Sequence, residues 1–282
     1  MKFENTRVFN FEGALRGMRN PLNSWAKSDS KFFTCCNFDP DSEIDQANTV
    51  VDAWAEKYME YSIVFSEEEK EQKFEEMREE AEAWLYEEGA LPSYEEHHYE
   101  MALIGPNDMA LAKRLIEGGP EHRKFLRQIM VSVDITAPLY WWKEFETYKV
   151  GTTANSTSTM HKLASTPITK ECFEMDDFED IAYFTEDNGD NPVDITTWDL
   201  ADTFIEELER LRQKYLETKD KRYWKELIRW LPNGWLQTRT VTLNYENLRS
   251  MCHQRENHKL TEWHQFCAWA ETLPYARGFI IA

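Results

Sequence analysis

Apolar residues recur along the chain with two different periods. In IMVSVDIT, Ile129, Val131, Val133 and Ile135 alternate with Met130, Ser132, Asp134 and Thr136, the period of a strand with one buried face. Elsewhere the spacing is three to four, which predicts amphipathic helices. Val51, Trp54, Tyr58 and Tyr61 mark one from about 48 to 65, and Phe74, Met77, Ala81, Trp84 and Leu85 mark a second that Ser66 is placed to cap. Phe204, Ile205, Leu208, Leu211 and Tyr215 share a face of a helix opened by Thr197, and Trp263, Phe266, Cys267, Ala270 and Leu273 form the stripe of a last helix stopped by Pro274.

Turn-forming residues divide the rest. NDMALAKRLIEGGPEHR reads as a short helix ended by Gly118-Gly119-Pro120. After the alternating strand, Thr136 is expected to cap a helix with Pro138 in its first turn, running to about Val150 and closed by Gly151. Residues 164–197 form an acidic, turn-rich connection, RYWKELIRWLP another helical turn or two, RTVTLN a short strand, and YENLRSMCHQREN a helix capped by Asn244. With a strand-like start, the pattern predicts an α+β fold: several helices around a small antiparallel or mixed sheet, in one domain of residues 1–282 with insertions.

Composition narrows the function classes. The 282 residues are 41% hydrophobic and carry a net charge of -20, so a packed globule is expected and sequence-independent binding to duplex nucleic acid is not. No run approaches the ~18 apolar residues of a membrane span. Five cysteines without framework spacing, and an opening MKFENTRVFNFEG without the layout of a secretory signal, point to the reducing cytoplasm. The acid excess is densest from Ser66 to Glu88, whereas Arg222 to Lys259 is rich in Arg, Lys and His. The glutamates are most simply a solvated face; an acidic surface imitating nucleic acid is the alternative.

The chemistry-bearing residues fall into few groups. Cys252, His253, His258 and Cys267 have the spacing CH-x4-H-x8-C, which matches no common structural zinc site, so no metal is expected. His97 and His98 are adjacent and so diverge on any regular element. GxGxxG, P-loop and GxSxG patterns are absent. What remains is polar: the stretch from Lys143 through Lys162, and RTVTLNYENLRSMCHQRENH, in which Arg249, Cys252 and Arg255 recur every third residue. Arg255 and His258 then lie near a helix C-terminus, where cations are favoured. Taken alone, these cations are most simply read as balancing the helix dipole and pairing with surface glutamates.

VSVDITAPLYWWKEFETYKVGTTANSTSTMHKL, Val131 to Leu163, resembles the signature segment of the flavin-dependent thymidylate synthases. In that family a strand enters a helix through Ala-Pro, the helix ends in an Arg-His-Arg triplet, and the following loop carries Ser and Arg. Ala137 and Pro138 match, Lys143 stands where Arg is frequent, Thr147-Tyr148-Lys149 occupy the triplet, and Thr157 and Thr159 fall on the loop Ser and Arg. GMRNPLNSWAKSDS, LIEGGPEHRKFLRQIMVSV and LPNGWLQTRTVTLNYENLRSMCHQRENH resemble three further blocks in the family's order, with Leu231-Pro232, Asn244 and Arg255 in step. Residues of about 31–105 and 164–220 stand as insertions. The triplet survives only as Lys149, and the loop Arg is a Thr; a lysine offers a point charge where arginine grips a phosphate with two parallel bonds.

The resemblance implies reductive methylation of dUMP, or modification of a related pyrimidine nucleotide, with FAD as cofactor and methylenetetrahydrofolate and NADPH as co-substrates. It implies cofactor contacts from Lys149, Tyr148, Asn244 and His253, and substrate contacts from Lys143, Thr159, Arg255 and His258. Arg255 would polarise the pyrimidine and Thr157 would be a positioning hydroxyl. Lys143, Lys162, Arg239 and Arg249 are the cations available to replace the missing arginines. A homotetramer with sites between subunits is the implied assembly. Two other readings stand beside it: a relative that binds a nucleotide or flavin without this reaction, and an acidic interaction protein built around residues 66–88.

Overall fold

The alternating segment is a strand, and the segments with three-to-four spacing are helices, in the computed structural model, which describes residues 1–33, 40–59, 67–88, 101–175, 182–186 and 193–282. β1 (Lys2–Phe9) leads into α1 (Phe11–Arg19), which buries Phe11, Ala14, Leu15 and Met18. β2 (Lys31–Phe33) is followed by two long helices, α2 (Pro40–Met59) and α3 (Glu67–Glu87), and pairs antiparallel with β3 (Met101–Leu103). α4 (Pro106–Glu117) has proline in its first turn and stops at Gly118, after which Gly119 takes the left-handed conformation at φ 93°. β4 (Met130–Pro138), α5 (Leu139–Phe145), β5 (Thr153–Ser156) and α6 (Thr159–Ser165) come next. An antiparallel hairpin of β6 (Ala182–Glu186) and β7 (Val193–Thr196) lies within the stretch read from sequence as a connection. α7 (Thr197–Thr218), α8 (Lys221–Trp230), β8 (Leu236–Asn244), α9 (Tyr245–Arg255) and α10 (Thr261–Glu271) complete the order. One sheet has four strands in the order β1-β4-β8-β5. The class is α+β, as the periodicities predict.

The chain divides into two compact units. The first comprises Met1–Lys2, Asp134–Tyr148 and Ala154–Thr240; the second comprises Phe3–Val133, Lys149–Thr153 and Val241–Ala282. In the first, Leu163, Ile168, Phe173, Ile205, Leu208, Leu211 and Leu227 form a core into which Trp224 and Trp235 pack, while Trp141, Trp142 and Phe145 of α5 are buried against one another. In the second, Phe11 meets Tyr245 and Tyr275 edge-on, and Phe125 meets Phe279. The paired helices α2 and α3 are fastened to this unit: Trp54 Nε1 donates to the Ile104 carbonyl at 3.0 Å, and the Trp84 ring lies between those of Trp54 and Tyr275.

Several sequence expectations change. α2 begins at Pro40, because its first two turns are polar and leave no stripe to read; Tyr61, Ser66, the Cys35-Cys36 pair and the His97-His98 pair lie outside the described residues. Thr136 is not a cap. β4 continues through Pro138, and the Thr136 hydroxyl meets that of Thr238 at 2.7 Å. α5 is instead capped from far along the chain, with Leu139 and Tyr140 donating their N–H groups to the carbonyls of Trp235 and Asn233. It ends at Phe145 rather than near Val150, where the Thr147 hydroxyl donates back to the Glu144 carbonyl at 2.7 Å, a local bond that competes with continued helix. Gly151 is left-handed at φ 74° but is not the helix cap. Cys267 is partly exposed rather than fully buried on its stripe.

Candidate functional site

The predicted site residues divide between the two units and are described within each. In the first unit, the two blocks that carry the family resemblance interlock. Lys143 Nζ donates to Asn233 Oδ1 at 2.6 Å, and Trp142 Nε1 donates to the Gln237 carbonyl at 2.9 Å. The Arg239 guanidinium lies over the Trp142 ring, 4.4 Å from its centroid, and pairs with Glu146 at 2.7 Å. Lys143 is thus exposed but anchored, and Arg239 is held by a ring and a carboxylate. Tyr148, half-buried, follows the last turn of α5 and donates its N–H to Phe145.

The loop that carries Thr157 and Thr159 is fastened to the same strand. Thr157 N–H donates to the Thr238 carbonyl, and Gln237 Nε2 donates to the Thr157 carbonyl at 2.9 Å and to Thr159 Oγ1 at 3.3 Å. Arg239 Nε in turn donates to Gln237 Oε1 at 3.0 Å. Gln237 is buried and is the residue that sequence reading missed; its alternation with Val241 and Leu243 on β8 was the available signal. Ser158 caps α6 by accepting from His161 N–H. The Lys162 side chain lies outside the described residues. A cavity of about 360 Å³ in this unit lies between α7 and α8, lined by Phe204, Glu207, Leu208, Leu211, Glu226 and Trp230, and none of the predicted residues reaches it.

In the second unit, two of the residues assigned to the cofactor, Lys149 and Asn244, lie at the start of α9, whereas His253 lies in its last turn. Asn244 accepts from Asn247 N–H at 2.9 Å, and Asn247 accepts in return from Asn244 N–H, a reciprocal cap. The Asn247 amide also donates to the Val150 carbonyl at 2.8 Å. Gly151 packs so closely there that a Cβ would come within 2.8 Å of Asn247 Oδ1 and 3.0 Å of Asn244 Nδ2. The exposed Lys149, one residue before Val150, is therefore held beside the positive end of the helix dipole. Lys149 is the exposed cation at this helix end, where the Tyr245 and Asn247 N–H groups already donate to the Ile129 carbonyl and to Asn244 Oδ1.

Arg255 occupies the opposite end of α9, more than two turns from Asn247, or ~12 Å along the axis. Its guanidinium lies over Trp263 at 4.8 Å, and the His258 ring faces the same tryptophan. His258 Nδ1 accepts from Leu260 N–H at 3.1 Å, and His253 is exposed. Lys149 and Arg255 are thus not brought together within one chain. Arg249 is not an open grip: it reaches the Ile280 carbonyl at 3.4 Å, and burial, followed by neighbouring Arg123, holds its pKa below the usual arginine value. Arg123 is itself locked to Glu246 at 2.9 Å. Among the described residues, no three or more His, Cys, Asp or Glu side chains are placed to hold a metal, and no helix is long and apolar enough to cross a membrane.

No protein-family model matches the chain, and no curated protein matches it. Among solved structures it is similar to the flavin-dependent thymidylate synthase ThyX from Helicobacter pylori complexed with FAD and dUMP, at 16% identity and TM-score 0.44, covering 62% of this chain and 82% of that one. A second structure of that protein with FAD and dUMP, at 2.31 Å resolution, gives the same values.

Proposed function

We propose that the chain is a divergent flavin-dependent thymidylate synthase-like protein that binds FAD and a pyrimidine nucleotide, dUMP or a close relative, and methylates it reductively. The observation that carries this reading is the docking of residues 149–151 on the capping box of α9, which gathers Lys149 and Asn244, far apart in sequence, at one helix end. In this reading α2 and α3, and the segment from about 164 to 220, are insertions on the family scaffold.

Lys149 would neutralise a phosphate of the cofactor beside the N-terminal turn of α9, and the Asn244 amide would donate to its ring. A flavin bound there would supply the relay that transfers a one-carbon unit from methylenetetrahydrofolate to the pyrimidine, with NADPH as reductant. Arg255 would hold and polarise the pyrimidine, with His258 and His253 at the same end of α9. Lys143 and Thr159 would contact the nucleotide, and Thr157, held by Gln237, would orient it. Among the described residues no base is paired with the Thr157 hydroxyl, which would position rather than attack. Because Arg255 and Lys149 occupy opposite ends of α9 in one chain, a shared site requires a homo-oligomer in which one copy supplies each end.

The test is spectroscopic. Purified protein should carry or take up FAD, with flavin absorption, and should oxidise reduced flavin in a dUMP-dependent manner when the folate donor is present. Flavin binding without that dependence would favour a relative with different chemistry. Colourless protein that gains no thermal stability from FAD or dUMP would end the proposal, since a ligand that binds only the folded state must raise its stability. That outcome would favour the acidic interaction protein, for which α3 presents Glu75, Glu76, Glu79, Glu80 and Glu82 outside its buried Met77, Ala81 and Leu85.

A further inference from the structure

The cavity between α7 and α8 uses no residue of the flavin and nucleotide reading. It holds about 360 Å³ within one unit. Its floor belongs to that unit's core: Leu208 and Leu211 are buried there, and Phe204 packs against the same cluster. Trp230 lines it from α8 and is exposed. The two helices are joined by a short turn, in which Lys219 takes the left-handed conformation at φ 55° and the Asp220 side chain caps α8 by accepting from Arg222 N–H at 2.9 Å. The space is thus built by packed helices, and its volume falls within the range of small-molecule sites.

The charged groups that line it are of one sign. Glu207 from α7 and Glu226 from α8 each present a carboxylate, and among the described residues no cation lines the cavity. Each carboxylate is held by an arginine three residues further along its own helix, Glu207 by two bonds from Arg210 and Glu226 by Arg229. All four side chains are at least 41% exposed, so these pairs are weak. An ionised carboxylate has lone pairs for about four bonds, which leaves both able to accept a further donor. The Arg210 hydrogen bonds also hold the Glu207 carboxyl below its usual pKa, so it is charged at neutral pH. Aromatic rings attract a cation through their faces, and an apolar floor takes up a hydrocarbon body. The net charge of -20 adds attraction for cations and opposes phosphates.

We propose that this cavity binds an amphiphilic organic cation, a primary ammonium group on an aryl or alkyl body. The body lies on Phe204, Leu208 and Leu211, and the ammonium group sits between Glu207 and Glu226 beside Trp230. The proposal stands apart from the nucleotide reading, because a phosphorylated ligand would meet two carboxylates here.

The test titrates the full-length chain by calorimetry with phenylpropylammonium. Phenylpropanol and phenylpropionate serve as its neutral and anionic counterparts, and ethylammonium as a cation without the body. The expected result is one saturable site for phenylpropylammonium, weakened by salt and roughly tenfold tighter than for the alcohol, with phenylpropionate and ethylammonium weaker still. Combining Glu207→Gln with Glu226→Gln should remove most of that preference and leave alcohol binding unchanged, whereas Trp230→Ala should weaken both. Absence of saturable binding, equal affinity across the charge series, or a preference retained in the double variant would overturn the proposal. Ethylammonium binding as well as phenylpropylammonium would reveal general attraction to an acidic surface and overturn it too. A dimer that Trp230→Asp separates, or uptake of a basic amphipathic peptide without uptake of the ammonium probe, would assign the cavity to a second copy or a partner helix instead. The wild-type series decides the matter even if a variant fails to fold.

Discussion

Gln237 uses both ends of its amide beneath the loop that carries Thr157 and Thr159: its nitrogen holds the loop, and its oxygen accepts from Arg239. An amide is suited to this position because it donates and accepts at once, whereas a carboxylate would lack the donors. Gln237→Leu preserves much of the volume but leaves Arg239 Nε and the Thr157 carbonyl without this partner. We expect a loss of about 1–3 kcal/mol in denaturant unfolding, the cost of leaving largely buried polar groups unpaired. Amide exchange across 153–159 should accelerate, while exchange in α9 should not change. Equal acceleration in both segments would show that Gln237 supports the fold generally rather than this loop.

At the scale of elements, helix ends are where stability and proposed binding overlap. Asn244 closes α9 through its side-chain oxygen and offers its amide nitrogen toward Gly151. Asn244→Ser keeps a capping oxygen and loses the amide donor, so it should melt close to wild type while binding FAD more weakly, by about 1 kcal/mol or more. Asn244→Ala should lose roughly 1 kcal/mol of stability as well; comparing the two by thermal melting and flavin titration separates the cap from the contact. In α7 the Glu209 carboxylate is bound by Arg212 through two bonds of 2.7 Å, and also accepts from Ile168 N–H, while Arg212 reaches the Ala164 carbonyl. The pair therefore fastens the chain that follows α6 onto α7. The Arg212 hydrogen bonds hold the Glu209 pKa at about 2, below its ordinary 4.5. Its contribution is complete above about 4.5 and is lost as pH falls toward 2, because protonation must then break the pair. Glu209→Gln should cost on the order of 1–2 kcal/mol near neutral pH, allowing for solvent screening, and little near the acid limit. Unfolding midpoints measured across that window would show the two curves converging.

For the molecule as a whole, the proposed reaction depends on assembly. Arg255→Ala should weaken nucleotide binding by about 1–3 kcal/mol, the range for a charged hydrogen bond, with a smaller loss of stability from its contact with Trp263. Titration of dUMP by calorimetry, read beside the melting temperature, checks both; unchanged affinity would remove Arg255 from the site. The longer strands β1, β4 and β8 and most of the helices were legible in the sequence, whereas the short strands β2, β3, β5, β6 and β7 were not. The alternation around Val131 and Val133 and the stripes of α3, α7 and α10 arise from burying one face of a regular element, so period and burial carry the same information. The cap on α9 was legible for the same local reason, since Asn244 bonds a residue three positions away. The lengths of α2 and α5 were not. The opening turns of α2 are polar, and the first N–H groups of α5 are satisfied by Trp235 and Asn233, roughly a hundred residues along the chain. The candidate site was legible as a set of residues but not as an arrangement. Composition and order fixed which cations and hydroxyls exist, whereas packing alone put Lys149 beside Asn244 and Thr157 over Gln237, and placed Arg255 at the far end of its helix. The difference is physical: local periodicity reports what an element buries, and only the folded chain reports which distant backbone or side-chain group satisfies it.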